Sequence, residues 1–192
     1  MEQFLACTDY IDWQHPAVRE RAILLSVGIP DKTQYAKTCF EWVRDHIRHT
    51  GDYQEDTITC RASDVLLKET GYCYAKSHLL AALLRANNIP TGMCYQRLSR
   101  DENGPPFCLH GLNAVYLEEF GWLRIDPRGN KPGVHAEFCP PTEKLAFSIK
   151  VPGEADLPEI WPEPLPIVVD ALENYQRHSD VWANLPDIQL IK

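Results

Sequence analysis

Residues 73–87, CYAKSHLLAALLRAN, constrain the fold more than any other stretch of the chain. They hold no glycine or proline and are rich in leucine and alanine, the residues that lose least on entering a helix. Leu79, Leu80, Leu83 and Leu84 would bury this helix in a core. Upstream, residues 16–27 read as a short helix with Pro16 in the tolerated first turn. Gly28 and Pro30 end it. Asp31 is an N-cap for a second helix to about Arg48, with Ala36, Cys39, Phe40, Val43 and Ile47 at helical spacing. Residues 50–59 are polar and read as a loop, and 63–69 as a short helix. After residue 87 the texture changes. Residues 91–98, 109–117 and 122–126 read as strands, the last two joined by a hairpin turn over 118–121. Helices first and antiparallel strands after imply an α+β domain.

The 192 residues suit one domain with a sizeable core. That domain is expected to span 1–192, with a core over about 31–150. Beyond it, Pro152, Pro158, Pro162, Pro164 and Pro166 mark an extended segment, 151–192, that wraps the core. It carries a last helix with Val168, Ala171, Leu172 and Tyr175 on one face. The formal charge of −8 argues against nucleic acid as a partner, since phosphate binding needs basic surface. There is no run of about 18 apolar residues to span a membrane. The start, MEQFLACTDYIDW, has no basic region of a signal peptide. Seven scattered cysteines without a regular framework suit a reducing compartment. A cytoplasmic protein is therefore expected.

Three residues carry the chemistry. Cys73 opens the strongest helix, where partial positive charge and free N–H groups favour a thiolate and can stabilise an oxyanion beside it. By itself a cysteine is far more often a small buried apolar side chain, and the helix-start position shifts that balance only modestly. A base is required. His78 lies five residues along the same helix and points well away from Cys73, so it reads as a packed helix histidine. His110 is better placed, on a strand with Leu112, Ala114 and Tyr116 on its face. If residues 118–120 form a three-residue hairpin loop, Asp126 falls opposite Leu112, one diagonal step from His110 and within reach of it. A carboxylate there orients the imidazole and leaves its second nitrogen for the thiol. No metal or other cofactor is expected. Cys108 and His110 are too small a set for zinc, and Asp101 and Glu102 too few acids for calcium.

The runs ASDVLLKETGYCYAKSHLLAALLRANNIPTGMCYQ and CLHGLNAVYLEEFGWLRIDPRGN resemble the transglutaminase-like core. The matching positions are Gly71, Cys73, 79–86, Ile89, Pro90, His110, Trp122, Asp126 and Pro127, within about residues 35–135. The resemblance implies a papain-like fold with a helix-borne cysteine packed on an antiparallel sheet. It implies a Cys73–His110–Asp126 triad that acts on an amide bond of a peptide, protein or small molecule through a thioester. Hydrolysis is preferred over transamidation because no accessory domain for a protein acceptor is evident. A catalytically inactive binding or scaffold module is the alternative. The stretch after Asp126 is closer to small bacterial members than to the large calcium-regulated enzymes. Those enzymes carry an aromatic oxyanion donor upstream of the cysteine; here His49, Tyr53 and Gln54 are the candidates for that place.

Overall fold

The computed structural model describes residues 1–101 and 103–190. Glu102, weighed above as a calcium ligand, lies outside them. Helix α1 (Pro16–Ser26) starts with Pro16 at its first position, and the His15 ring accepts a hydrogen bond from Ala17 N. Asp31 caps α2 (Lys32–His46) by accepting from Gln34 N at 2.5 Å. Then come β1 (Arg48–His49), α3 (Thr50–Tyr53), α4 (Ala62–Lys68), β2 (Thr70–Gly71) and α5 (Cys73–Arg85). Strands β3 (Thr91–Ser99), β4 (Phe107–Leu117) and β5 (Gly121–Ile125) follow. The remainder holds β6 (Glu137–Cys139), β7 (Thr142–Lys144), β8 (Ala155–Asp156), α6 (Pro166–Glu173) and α7 (His178–Ala183).

The main sheet is antiparallel throughout, in the order β5-β4-β3-β8. Its two faces are buried differently, as strand alternation requires. Met93, Tyr95, Leu109 and Val115 join the principal core with α5, while Cys94, Leu112 and Ala114 form a second cluster covered by Trp122, Leu145 and Ile160. Every residue of α5 is buried. A helix with no solvent face must satisfy its polar side chains internally. Arg85 donates to the carbonyls of Thr91, Ala6 and Pro162. His78 bonds Cys60 O through Nδ1 at 2.7 Å, and burial pushes its pKa down to about 4. It is thus the packed histidine that its sequence position suggested.

The polar loop expected over residues 50–59 contains α3, and β1 pairs in parallel with β2, Arg48 opposite Thr70 and His49 opposite Gly71. These elements of two to four residues are too short to leave a periodic signal. The segment after residue 150 docks on the β3 edge. Met93 and Trp161 exchange backbone hydrogen bonds at 2.7 and 2.9 Å, and Leu157 N donates to Tyr95 O at 3.0 Å. Residues 166–173 form the expected helix, with Val168, Ala171 and Leu172 buried. The short α7 beyond it has no counterpart in the sequence reading. All seven cysteines are unpaired. No helix among the described residues is long and apolar enough to cross a membrane.

Candidate active site

The β4–β5 hairpin has the register the three-residue loop implies: Leu117 lies opposite Gly121 and Asn113 opposite Ile125. Gly121 makes this turn at φ +73°, a conformation that costs glycine nothing. One further step puts Asp126 across from Leu112. From there its Oδ2 meets His110 Nε2 at 2.7 Å. Asp126 is fully buried and accepts two further hydrogen bonds, on Oδ2 from Ala146 N and on Oδ1 from Arg128 N, both at 3.1 Å. Burial alone would raise the carboxyl pKa. The charge and hydrogen bond of His110, with the two N–H donors, outweigh it and hold the pKa below the ordinary value. His110 answers in the opposite sense. Burial opposes the imidazolium, but the charges and hydrogen bonds of Asp126 and Cys73 push its pKa up to about 10. Phe147 meets the ring edge-on, with centroids 5.0 Å apart.

Cys73 begins α5, and Tyr72, at the N-cap, offers no side-chain cap. The first backbone bond closing the helix is Lys76 N to Tyr72 O at 2.9 Å, so the N–H groups before it lie at an uncapped terminus. Cys73 Sγ accepts a long hydrogen bond from Gly111 N at 3.5 Å, which seats the thiol against β4 beside His110. That seat requires glycine at 111. A Cβ there would lie 2.8 Å from Tyr74 Cδ1 and 3.1 Å from Tyr74 Cα. The Tyr74 hydroxyl reaches along the strand to donate to Leu109 O, and Asn113 Nδ2 donates to Ser77 O at 3.0 Å. The start of the helix is therefore pinned to β4 on both sides of Gly111.

Cys73 and His110 open onto a cleft of about 360 Å³. His49 lines it; Tyr53, 64% exposed, and exposed Gln54 do not. The pairing of His49 with Gly71 explains the proximity, because it sets β1 beside the residues that lead into Cys73. Burial, followed by the charge of Arg128, drives the His49 pKa well below its usual value, so the ring is neutral. Its Nδ1 is buried without a hydrogen-bond partner, 3.8 Å from Asp52 Oδ2. Sequence reasoning did not find Asp52, which binds Arg128 through paired contacts of 2.6 and 2.8 Å and also binds Lys131 Nζ. This cluster ties α3 to the segment after Asp126. Nor did it find Lys76, whose buried ammonium donates to Ile47 O and Arg44 O at the C-terminal end of α2. Trp182 and Leu185 bring the distal segment to the cleft wall, and Tyr72 Oη meets His178 Nδ1 at 2.6 Å. Among the described residues no group of three histidine, cysteine or acidic side chains is arranged to hold a metal ion.

This architecture has counterparts among known proteins. A candidate cysteine protease from Cytophaga hutchinsonii superposes with a TM-score of 0.52 at 20% identity, over 65% of this chain and 40% of that one. The periplasmic domain of TgpA from Pseudomonas aeruginosa gives 0.47 at 18% identity, over 65% and 45%. The chain thus spans less than half of either structure. The first likeness concerns the fold. No curated protein matches the chain. The model of the transglutaminase-like superfamily matches residues 21–127, more than half of the sequence, and takes in Cys73, His110 and Asp126. The chain belongs to the transglutaminase-like superfamily.

Proposed function

We propose that the protein is a cysteine acyl-transfer enzyme acting on amide bonds, with Cys73 as nucleophile, His110 as general acid and base, and Asp126 as the residue that orients and charges the imidazole. The observation that carries the reading is the 2.7 Å bond from His110 Nε2 to buried Asp126. It commits one ring nitrogen and leaves Nδ1 for the thiol at the uncapped start of α5. Cys73 attacks the amide carbon as thiolate, and the carbonyl electron pair moves to oxygen. The N–H groups at the start of α5 and the neutral His49 ring, on the same cleft, are the proposed donors to that oxyanion. Collapse of the intermediate expels the amine, which takes the His110 proton, and leaves a thioester on Cys73. Water, deprotonated by His110, then attacks the thioester. This releases the carboxylic acid, which loses its proton to solvent, and returns sulfur and imidazole to the starting thiolate and imidazolium.

Hydrolysis is the favoured outcome, with a peptide or related amide as substrate. An amine taking the place of water would give transamidation by the same first step. The test is a mass-spectrometric trap of the acyl-enzyme, using acid quench after brief exposure to a mixed peptide-amide library. A mass increment on the peptide that contains Cys73, absent in Cys73→Ala, is expected. Cys73→Ala should fold normally, because leucine burial and not sulfur holds α5. Folded Cys73→Ala protein that still turned substrate over would remove the mechanism.

A further inference from the structure

The cleft carries a charge pattern that the acyl-transfer steps do not use. The whole chain has a formal charge of −8. Yet the described lining holds Arg100, Arg128, Lys131 and Lys150 against the carboxylate of Glu154. Several of these charges are already engaged. Arg128 and Lys131 both bind Asp52. Glu154 accepts from the backbone N–H groups of Ser99, Lys150 and Val151 at 2.9, 2.6 and 3.1 Å. Arg100 differs. Its Nη2 donates to Trp182 O at 2.8 Å, and its guanidinium carbon lies 4.9 Å from the Trp182 ring centroid. Among the described residues no carboxylate lies within ion-pair distance of it. A carbonyl and an aromatic face supply only partial negative charge, so among the described residues nothing neutralises the charge that Arg100 presents to the cleft. Its field reaches the catalytic strand: burial pushes the Cys108 thiol up, and Arg100 works against that rise. Cys108 stands two residues before His110.

We propose that Arg100, held in place by Trp182, selects substrates that carry a carboxylate near the scissile amide, such as acidic peptides. The planar guanidinium fits a carboxylate through two parallel hydrogen bonds, and stacking on Trp182 fixes the fork before substrate arrives. The distal segment thereby contributes to specificity through Trp182, which is 48% exposed at the cleft. This proposal rests on Cys73 being the nucleophile.

The experiment compares alkylation of Cys73 by iodoacetate and by iodoacetamide at low salt, mapped by peptide mass, with exposed Cys7 as reference in the same molecule. The His110 imidazolium favours the anionic reagent in every variant, so the difference between variants reports Arg100. The iodoacetate preference at Cys73 should fall about threefold to tenfold in Arg100→Gln, the range for one charge lining the same partly screened cleft. Arg100→Lys should keep most of it. In turnover, exchanging glutamate for glutamine beside the scissile amide should lower kcat/KM by a similar factor in the wild type and little in Arg100→Gln. An iodoacetate preference unchanged in Arg100→Gln would overturn the subsite while leaving the nucleophile in place. If neither reagent labelled Cys73 while Cys7 reacted, the nucleophile reading would fall, and the subsite with it.

Discussion

Replacing Asp126 by asparagine removes one buried negative charge and changes one acceptor oxygen into a donor. In the native site the carboxylate accepts from His110 Nε2, Ala146 N and Arg128 N. An asparagine that keeps its oxygen toward His110 and Ala146 turns its amide N–H groups against Arg128 N. One that flips keeps Arg128 but opposes Ala146 N–H, and it forces the imidazole to carry its proton on Nδ1, where the thiol needs an acceptor. Either way a buried donor loses its partner, at a cost of about 1–3 kcal/mol in stability. The kinetic cost is larger. Burial opposes the His110 imidazolium, and Asp126 is the leading influence that overcomes it. Without that charge the imidazolium needed to protonate a leaving amine is scarce. Amide turnover should drop by about 10³-fold, equivalent to about 4 kcal/mol of barrier. The assay compares kcat/KM on a peptide amide with that on a p-nitrophenyl ester, whose leaving group needs no proton. Asp126→Asn should lose much more on the amide than on the ester. Equal, small losses on both in folded protein would refute the orienting role and make Asp126 a structural turn residue.

The neighbouring residues give further tests. Gly111→Ala should destabilise the protein by about 1–3 kcal/mol in urea titration, because the new methyl meets the backbone of Tyr74, and it should slow Cys73 alkylation by displacing the start of α5. Stability as a function of pH should report the ion pair. The His110 pKa is raised in the fold, so its contribution is fully present below its unfolded pKa of about 6.5 and is lost as pH rises through about 10. Lys76 acts oppositely: burial lowers its pKa to about 7, so the unfolded chain holds that proton more tightly and the Lys76 cost fades as pH rises above 7. The difference in thermal stability between wild type and His110→Gln cancels Lys76, and it should shrink steadily from pH 6 to pH 10. A difference that stayed flat over that range would mean that His110 is not charged in the fold. The Asp126 pKa is lowered, so its contribution is present above about pH 3.9 and is lost as pH falls through its folded value.

Much of this site is legible in the sequence because it is built from local rules. The α5 composition dictates a buried helix, and a helix start is an electrostatic position wherever it lies in the fold. The hairpin loop of three residues fixes the β4–β5 register, and the period-2 alternation of strands then places Asp126 within reach of His110. What brings the helix start to the strand is tertiary. Gly111 reads in sequence as one more strand residue; only the packed structure shows that a side chain there would strike Tyr74. His49 is separated from Cys73 by a polar stretch and reaches the cleft through a two-residue parallel pairing with Gly71, too short to leave a hydrophobic period. The Asp52–Arg128–Lys131 cluster, the Lys76 contacts and the Arg100–Trp182 stack join residues far apart in the chain by charge and hydrogen bonding. Such pairings follow no sequence spacing, because they are set by which surfaces meet once the hydrophobic elements have packed. The sequence by itself thus determined the helix, the hairpin and the three residues they carry. Tertiary packing decided which side chains surround them, and with that the charge and shape of the cleft.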